Sequence, residues 1–485
     1  MRTTLSSNAI PKSPNKRMSA THGDTTMKFE QYYLDCLSHA SYLIGDETSG
    51  LAAVVDPRRD VAEYVADAEA AGMKIAYVIE THFHADFLSG HLELAAATGA
   101  EIIFGAAAKP DFPARLVEDG ERIALGDVIL EFRATPGHTP ESTSIVVWEH
   151  ADDPEPWGVL TGDTLFIGDV GRPDLLASIG VTADELGTML YDSLRDKLLT
   201  LPDSTRVYPA HGAGSACGKN LSTATVSTIG EQRRENYALQ EMTRDRFVDM
   251  VTEGQPAAPD YFVHDAILNR RTRELLDEAA PPAMTLDEVK AARARGAVVV
   301  DVRDAAAFAA GHIDGSVNVG VDGRFAEYAG EVVDPDDEVV LVGGREAVAE
   351  AKVRLGRIGF DKTIGALHDV ERVLADHPES ARQSSRLTVS DLATRMSDTP
   401  GLQVVDVRNQ GEVALGSIDG AVNIPLASLR RRVGELDLGR PMVVHCAGGY
   451  RSSVAASWLR SAGATDVSDL LGGYDAWTDR HQPVA

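Results

Sequence analysis

Short apolar runs, each closed by a turn residue, recur through the first half of the chain. "ASYLIGD", "LAAVVD", "IAYVIE", "EIIFGA", "VILEFRATPG", "TSIVVWE", "WGVLTGD" and "RVYPAHG" have the length and β-branched content of strands. Between them, "RDVAEYVADAEAAG" and "HLELAAATG" carry helical spacing and end on glycine. Residues 181–200 and 231–252 also read as helical. Past a Pro-Pro linker at Pro281 and Pro282 the pattern changes to an internal repeat. "VVDVRDAAAFAAGHIDGSVNV" (Val299 to Val319) matches "VVDVRNQGEVALGSIDGAVNI" (Val404 to Ile424) at an offset of 105. Each copy is preceded by a helix signal and followed by another strand and helix, which predicts a parallel sheet wrapped by helices.

The pattern divides the chain into a polar extension over 1–26, an α/β domain over 27–275, and two repeats over 283–378 and 385–485. The extension is slightly basic and lacks an apolar stretch, so it reads as disordered (or as an upstream start codon) and not as a secretory signal.

Composition narrows the function classes. A net charge of −28 disfavours nucleic acid and anionic membrane surfaces, and no apolar run reaches the length of a membrane span. Cys36, Cys217 and Cys446 are too few and too far apart for a disulfide framework, which points to a reducing cytoplasm.

Four strand-like runs of the first domain end in residues able to bind a metal: "VIETHFHAD", "FRATPGHT", "GVLTGDT" and "VYPAHG". They carry His82, His84, Asp86, His138, Asp163 and His211. If the strands lie side by side, these loops converge on one point. Four such ends in one domain outweigh the false-positive risk of a lone HxHxD.

This ensemble resembles the metallo-β-lactamase fold, an α/β/β/α sandwich, over residues 27 to roughly 270. Two-metal members of that family carry HxHxDH, whereas this chain has Phe87 in the last position, which offers no donor atom. One metal is therefore expected. The branch it is most similar to is the persulfide dioxygenases, whose resemblance implies a single Fe(II) held by His82, His138 and Asp163, with corners open for O2 and substrate. Zinc is the alternative metal. His84, Asp86 and His211 then orient ligands or water, with His84 also open as a fourth ligand. "GRPD" is similar to the loop after the aspartate ligand in those enzymes. There Arg172 either pairs with Asp174 or steadies the loop, or Gly171 and Pro173 simply make a turn. Cys217, six residues after His211, is either a sulfur relay at the mouth of the site or a structural thiol.

"PMVVHCAGGYRSSVAASWL" sets Cys446 between a strand and a helix, where loop N–H groups and the helix N-terminus favour a thiolate. Arg451 closes the loop and is placed to pair with an anionic acceptor such as sulfite. Residues 385–485 closely resemble the rhodanese family of sulfurtransferases. Asp406 and Arg408 are expected to brace the fold. An offset of 104 places Val342 and Ala347 opposite Cys446 and Arg451, so the first repeat is expected to be catalytically silent.

Together the resemblances imply an α/β protein with a metallo-β-lactamase sandwich followed by two rhodanese-like parallel domains. Its expected chemistry is O2-dependent oxidation of a small thiol persulfide (glutathione, coenzyme A or similar) to sulfite, and sulfur transfer through Cys446 to give thiosulfate. Related enzymes commonly self-associate, which implies a homo-oligomer. A glyoxalase II-type zinc hydrolase and a non-enzymatic persulfide sensor are the competing readings.

Overall fold

A computed structural model of the protein describes residues 16–19, 26–175 and 180–481. Two sheets face each other in the first domain. One has seven strands in the order Lys16–Ser19, Met27–Leu34, His39–Asp46, Leu51–Val55, Lys74–Ile79, Glu101–Gly105 and Arg115–Val117. The other has six, running Ser227–Thr228, Arg206–Pro209, Gly158–Gly162, Thr143–Trp148, Ile129–Ala134 and Arg122–Ala124. Alternation along the strands sends Phe29, Ile44, Val55 and Ile79 from one sheet against Leu130, Phe132, Ile145 and Leu160 from the other. The opposite faces are covered by helices: Tyr64, Ala68 and Leu94 pack on Leu43, Val54 and Val78, while Leu190, Leu194 and Phe247 pack on Val146, Val159 and Val207. The result is the expected α/β/β/α sandwich.

Two expectations need correction. The 231–252 stretch is not one helix: Ile229–Glu235 and Arg244–Thr252 flank a single 3-10 turn, Tyr237–Leu239. Asn236 breaks the run, because its extended backbone lets the side chain cap Ala238 while its amide donates to the Asp169 carbonyl at 2.9 Å. In the extension expected to be disordered, Lys16–Ser19 pairs antiparallel with Glu30–Tyr33 along an otherwise open sheet edge. The rest of that extension, apart from Thr26, lies outside the described residues.

The repeats form two sheets of parallel strands, four strands around Val298–Asp301 and Val339–Val342, and five around Gln403–Asp406 and Met442–His445. In each, an Asp-Val-Arg turn locks the strand end. Arg408 grips Asp406 with contacts of 2.7–3.1 Å, Asn423 bonds both carbonyls, and Arg303, Asp301 and Asn318 do the same in the first copy. The brace role expected for Asp406 and Arg408 is what their contacts provide.

The first repeat docks on the sandwich through buried charge. Arg59, fully buried, donates to Glu93 at 2.8 Å, to both oxygens of Asp361 at 2.8 and 3.0 Å, and to the Gly356 carbonyl. Arg357 returns the contact by gripping Asp60 at 2.7 and 2.8 Å. Removing one partner of a buried pair strands the other charge. Arg59→Ala is therefore expected to cost about 3–5 kcal/mol of stability, seen as a lowered denaturant midpoint. An unchanged midpoint would show that this network does not hold the domains together.

Candidate functional site

The four predicted loops meet at one end of the sandwich. Ligand atoms of His82, His138 and Asp163 lie within 4.8 Å of one another, and so do those of His84, Asp86 and His211. All six residues are buried. The structure therefore brings together every candidate that the sequence placed at these strand ends.

Hydrogen bonds around the first trio fix which atoms face inward. The Thr81 hydroxyl donates to Asp56 Oδ2 at 2.9 Å, so it accepts from His82 Nδ1, also at 2.9 Å. His138 Nδ1 lies 2.9 Å from the Arg172 carbonyl, which only accepts. Both rings thus carry their proton on Nδ1 and turn a lone pair on Nε2 toward Asp163 Oδ2, 3.8 and 3.5 Å away. The other oxygen, Oδ1, accepts from His211 Nδ1 at 2.7 Å. Asp163 Oδ2 and His82 Nε2 have no hydrogen-bond partner despite full burial. Two neutral imidazoles and a carboxylate aimed at one point, two of their three inner atoms buried without a partner, fit a divalent cation.

Electrostatics agree. Burial, reinforced by His84, lowers His82 well below its ordinary pKa, and burial lowers His138 as well. Burial alone would raise Asp163, but His211, His82 and His138 hold it well below the usual carboxylate range. His211 sits between Asp163 and Asp86 Oδ2, the latter 2.9 Å from its Nε2, and these acids raise it despite burial.

The His84 ring lies against His82 of the first trio, with centroids 4.0 Å apart, but its Nε2 turns to a different pair of acids. Its Nε2 lies 3.2 Å from Asp56 Oδ1 and 3.8 Å from Glu80 Oε2. Phe87, also fully buried, lies against His39 and His84 with ring centroids 4.1 and 4.4 Å apart. It offers no donor atom beside the group of His84, Asp86 and His211. His39, Asp56 and Glu80 were missed in the sequence. Asp56 had a readable signal, an acid closing the apolar run "LAAVVD" like the other site loops.

The "GRPD" loop is a positioning device. Arg172 grips Asp174 at 2.6 and 2.7 Å and donates to the carbonyls of Ala216 and Pro256, which presents its own carbonyl to His138. Gly171 is needed for a steric reason: a Cβ there would lie 1.8 Å from the Asp163 carbonyl oxygen and 3.0 Å from His138 Cβ. Cys217 Sγ falls within 4.8 Å of Asp163 and His211 ligand atoms. Burial, then Asp86 and Asp163, push its thiol well above the ordinary value, which disfavours the thiolate that a relay would need.

In the second repeat Cys446 ends the strand Met442–His445 and is buried. Its Sγ accepts from the Gly449 N–H at 3.1 Å and lies 3.5 Å from Ser452 Oγ, at the start of the helix Tyr450–Ser461. Gly473 closes the cradle from below, since a Cβ there would meet the carbonyl oxygens of Ala447 and Cys446 at 2.2 and 2.4 Å. Arg451, expected to pair with an anionic acceptor, already has a carboxylate partner in the fold. Glu412 takes both its ends at 2.7 Å, because the capping box of Asn409 and Glu412 sets that acid on the facing helix turn. In the first repeat, strand pairing aligns Val342 with His445, so Gly343 and not Val342 stands opposite Cys446. Only Gly343 and Gly344 separate strand from helix there, against Cys446 to Gly449 in the second copy. The loop is too short for the cradle as well as lacking sulfur.

Comparison with known proteins places these features. Residues 34–211 match the family described as the metallo-beta-lactamase superfamily, and residues 285–368 and 388–480 each match the rhodanese-like domain. The chain is 32% identical over 203 residues to the persulfide dioxygenase ETHE1, mitochondrial, of Bos taurus, covering 41% of this chain and 70% of that protein. It is 37% identical over 232 residues to the hydroxyacylglutathione hydrolase of Rhodospirillum rubrum, covering 47% and 80%. A crystal structure of a metallo-beta-lactamase from Staphylococcus aureus subsp. aureus COL superposes with a TM-score of 0.64 at 33% identity, over 71% of this chain and 99% of that one. That span is larger than the first domain alone.

Gly171→Ala tests the packing of the metal-facing loops. Overpacking against the Asp163 backbone is expected to cost about 1–3 kcal/mol and to lower metal content per chain in elemental analysis. Wild-type stability with full metal content would show that the close approach is not a constraint.

Proposed function

Because the chain belongs to the metallo-beta-lactamase superfamily and carries two rhodanese-like domains behind that fold, we propose that it is a persulfide dioxygenase fused to a sulfurtransferase. The observation that carries this reading is the inward trio of His82 Nε2, His138 Nε2 and Asp163 Oδ2 beside the donorless Phe87. Those three residues would hold one Fe(II), which when bound supplies O2 activation; zinc remains the alternative metal. The protein's own groups do the rest. The Asp56–Thr81 pair and the Arg172 carbonyl fix both imidazole tautomers. Phe87 and His39 pack on each other and against His84 and His211, beside the trio. His211 holds Asp163 in one orientation through Oδ1.

The reaction balances as persulfide, O2 and water giving thiol, sulfite and two protons. At Cys446, a second persulfide leaves its outer sulfur on Sγ and departs as thiol. The sulfite lone pair then attacks that outer sulfur, the bond to Sγ breaks, and thiosulfate leaves with Sγ returned as thiolate. The Gly449 N–H and the helix start stabilise that thiolate. The carrier is a small thiol such as glutathione or coenzyme A.

A zinc thioester hydrolase is the second reading, favoured by the similarity to hydroxyacylglutathione hydrolase. Oxygen uptake by iron-loaded protein with glutathione persulfide separates the two: uptake is expected, and thioester hydrolysis without uptake would overturn the dioxygenase reading. Cys446→Ser should leave oxygen uptake at the wild-type rate and shift the product from thiosulfate to sulfite. Thiosulfate at the normal rate from that variant would remove Cys446 from the mechanism.

A further inference from the structure

We propose that the cavity where the three domains meet is a common vestibule, which admits the thiol persulfide and passes sulfite from the metal-facing trio to the Cys446 cradle. This rests on the persulfide reading above and adds a route and a role for the cysteine-less repeat.

The cavity holds about 740 Å³, within the range of roughly 300–1,000 Å³ typical of small-molecule sites. Each domain supplies a wall. The sandwich contributes the loop from Gly214 to Leu221, directly after His211, and the segment around Ala257. The first repeat contributes Glu327 and Glu331, and the second contributes Asn409 to Glu412. A side lobe of about 210 Å³ shares Gly214, Glu327, Glu331 and Asn409 with it and ends at Arg451. On the other side, a neck of about 10 Å³ shares Ser215, Ala216 and Glu327 and reaches Asp86. Shared walls therefore run from Asp86, one step from Asp163 through His211, to the arginine of the sulfur cradle. The neck has room for about one water, so it must widen for a persulfide or sulfite to pass.

One helix of the cysteine-less repeat, Phe325–Val332, touches both ends of this route. At its start Arg324 donates to the Gly214 carbonyl and to Ser38 Oγ, beside the His211 loop, while pairing with Glu327. One turn on, the Tyr328 ring meets Tyr450 of the cradle edge-on at 5.1 Å. A repeat that has lost its nucleophile still provides the wall that joins two reacting centres.

The lining does not oppose an anion. Glu327 is neutralised by Arg324, and Glu412 by Arg451. Burial, then Glu327, push Glu331 well above the ordinary carboxylate value, which disfavours its charged form. Lys219, also in the wall, donates to the carbonyls of Met250 and Glu253 and lies over the Tyr237 ring. Leu415, 91% exposed at the rim, offers an apolar foothold for a thiol carrier.

Two measurements on the full iron-loaded chain test the vestibule. In the first, the protein turns over glutathione persulfide and O2 in the presence of excess heavy-isotope sulfite. Direct passage predicts thiosulfate whose sulfonate sulfur is mostly unlabelled. A labelled fraction equal to that of bulk sulfite would overturn it. In the second, sulfur transfer from glutathione persulfide to sulfite is followed without oxygen, so that only the Cys446 centre is read. Ala257→Trp, on the sandwich wall, should raise KM there by about tenfold, although the substitution lies in another domain. An unchanged KM would refute a shared cavity. Should that variant fail to fold, Gln410→Trp on the rhodanese wall makes the reciprocal test, a raised KM for oxygen uptake, with the same contrary outcome. Absence of oxygen uptake in the wild type would end the dioxygenase reading, while the oxygen-free assay would still decide the vestibule.

Discussion

One buried carboxylate organises the first domain's chemistry. Asp163 directs Oδ1 to His211 and leaves Oδ2 facing the lone pairs of His82 and His138, with no water-exposed surface to relieve the charge. Such an arrangement is costly unless a cation shares it. The surrounding structure is fitted to keep it in place. The Asp56–Thr81 pair orients one imidazole, the Arg172 carbonyl orients the other, and Gly171 lets the Arg172 loop lie directly on the Asp163 backbone.

Phe87 links that centre to the rest of the molecule. It lies against His39 and His84. On its other side it joins the apolar cluster that includes Tyr261, Phe262 and Phe325 and continues through both repeats. A histidine there would remove an apolar anchor between domains as well as adding a ligand. The Arg59 and Arg357 pairs hold the same interface at its charged edge.

Much of this was legible in the sequence, for physical reasons. His82 follows a strand of one sheet, and His138, Asp163 and His211 follow strands of the facing sheet; the four ends meet at one end of the sandwich, so their shared pattern of His or Asp after an apolar run could group them before any fold was known. The repeat was visible because its buried braces are short and local, as in Asp406 and Arg408. What escaped depends on partners far along the chain. Glu412 lies 39 residues before Arg451, and only the folded capping turn shows that it neutralises the guanidinium. The loop of the first repeat is shorter than its sequence alignment suggested, which moves Gly343 opposite Cys446. Asn236 broke a helix through a bond to Asp169, a contact no local pattern encodes. The interdomain cavity has no linear signature, because its walls come from three separately folded units.

The account stands on a single-metal centre. Elemental analysis of the purified protein, expressed as metal per chain, tests that most directly. It predicts close to one iron per chain, lost in His82→Ala and Asp163→Ala. Two zincs per chain, with His211 and Asp86 required for the second, would contradict it.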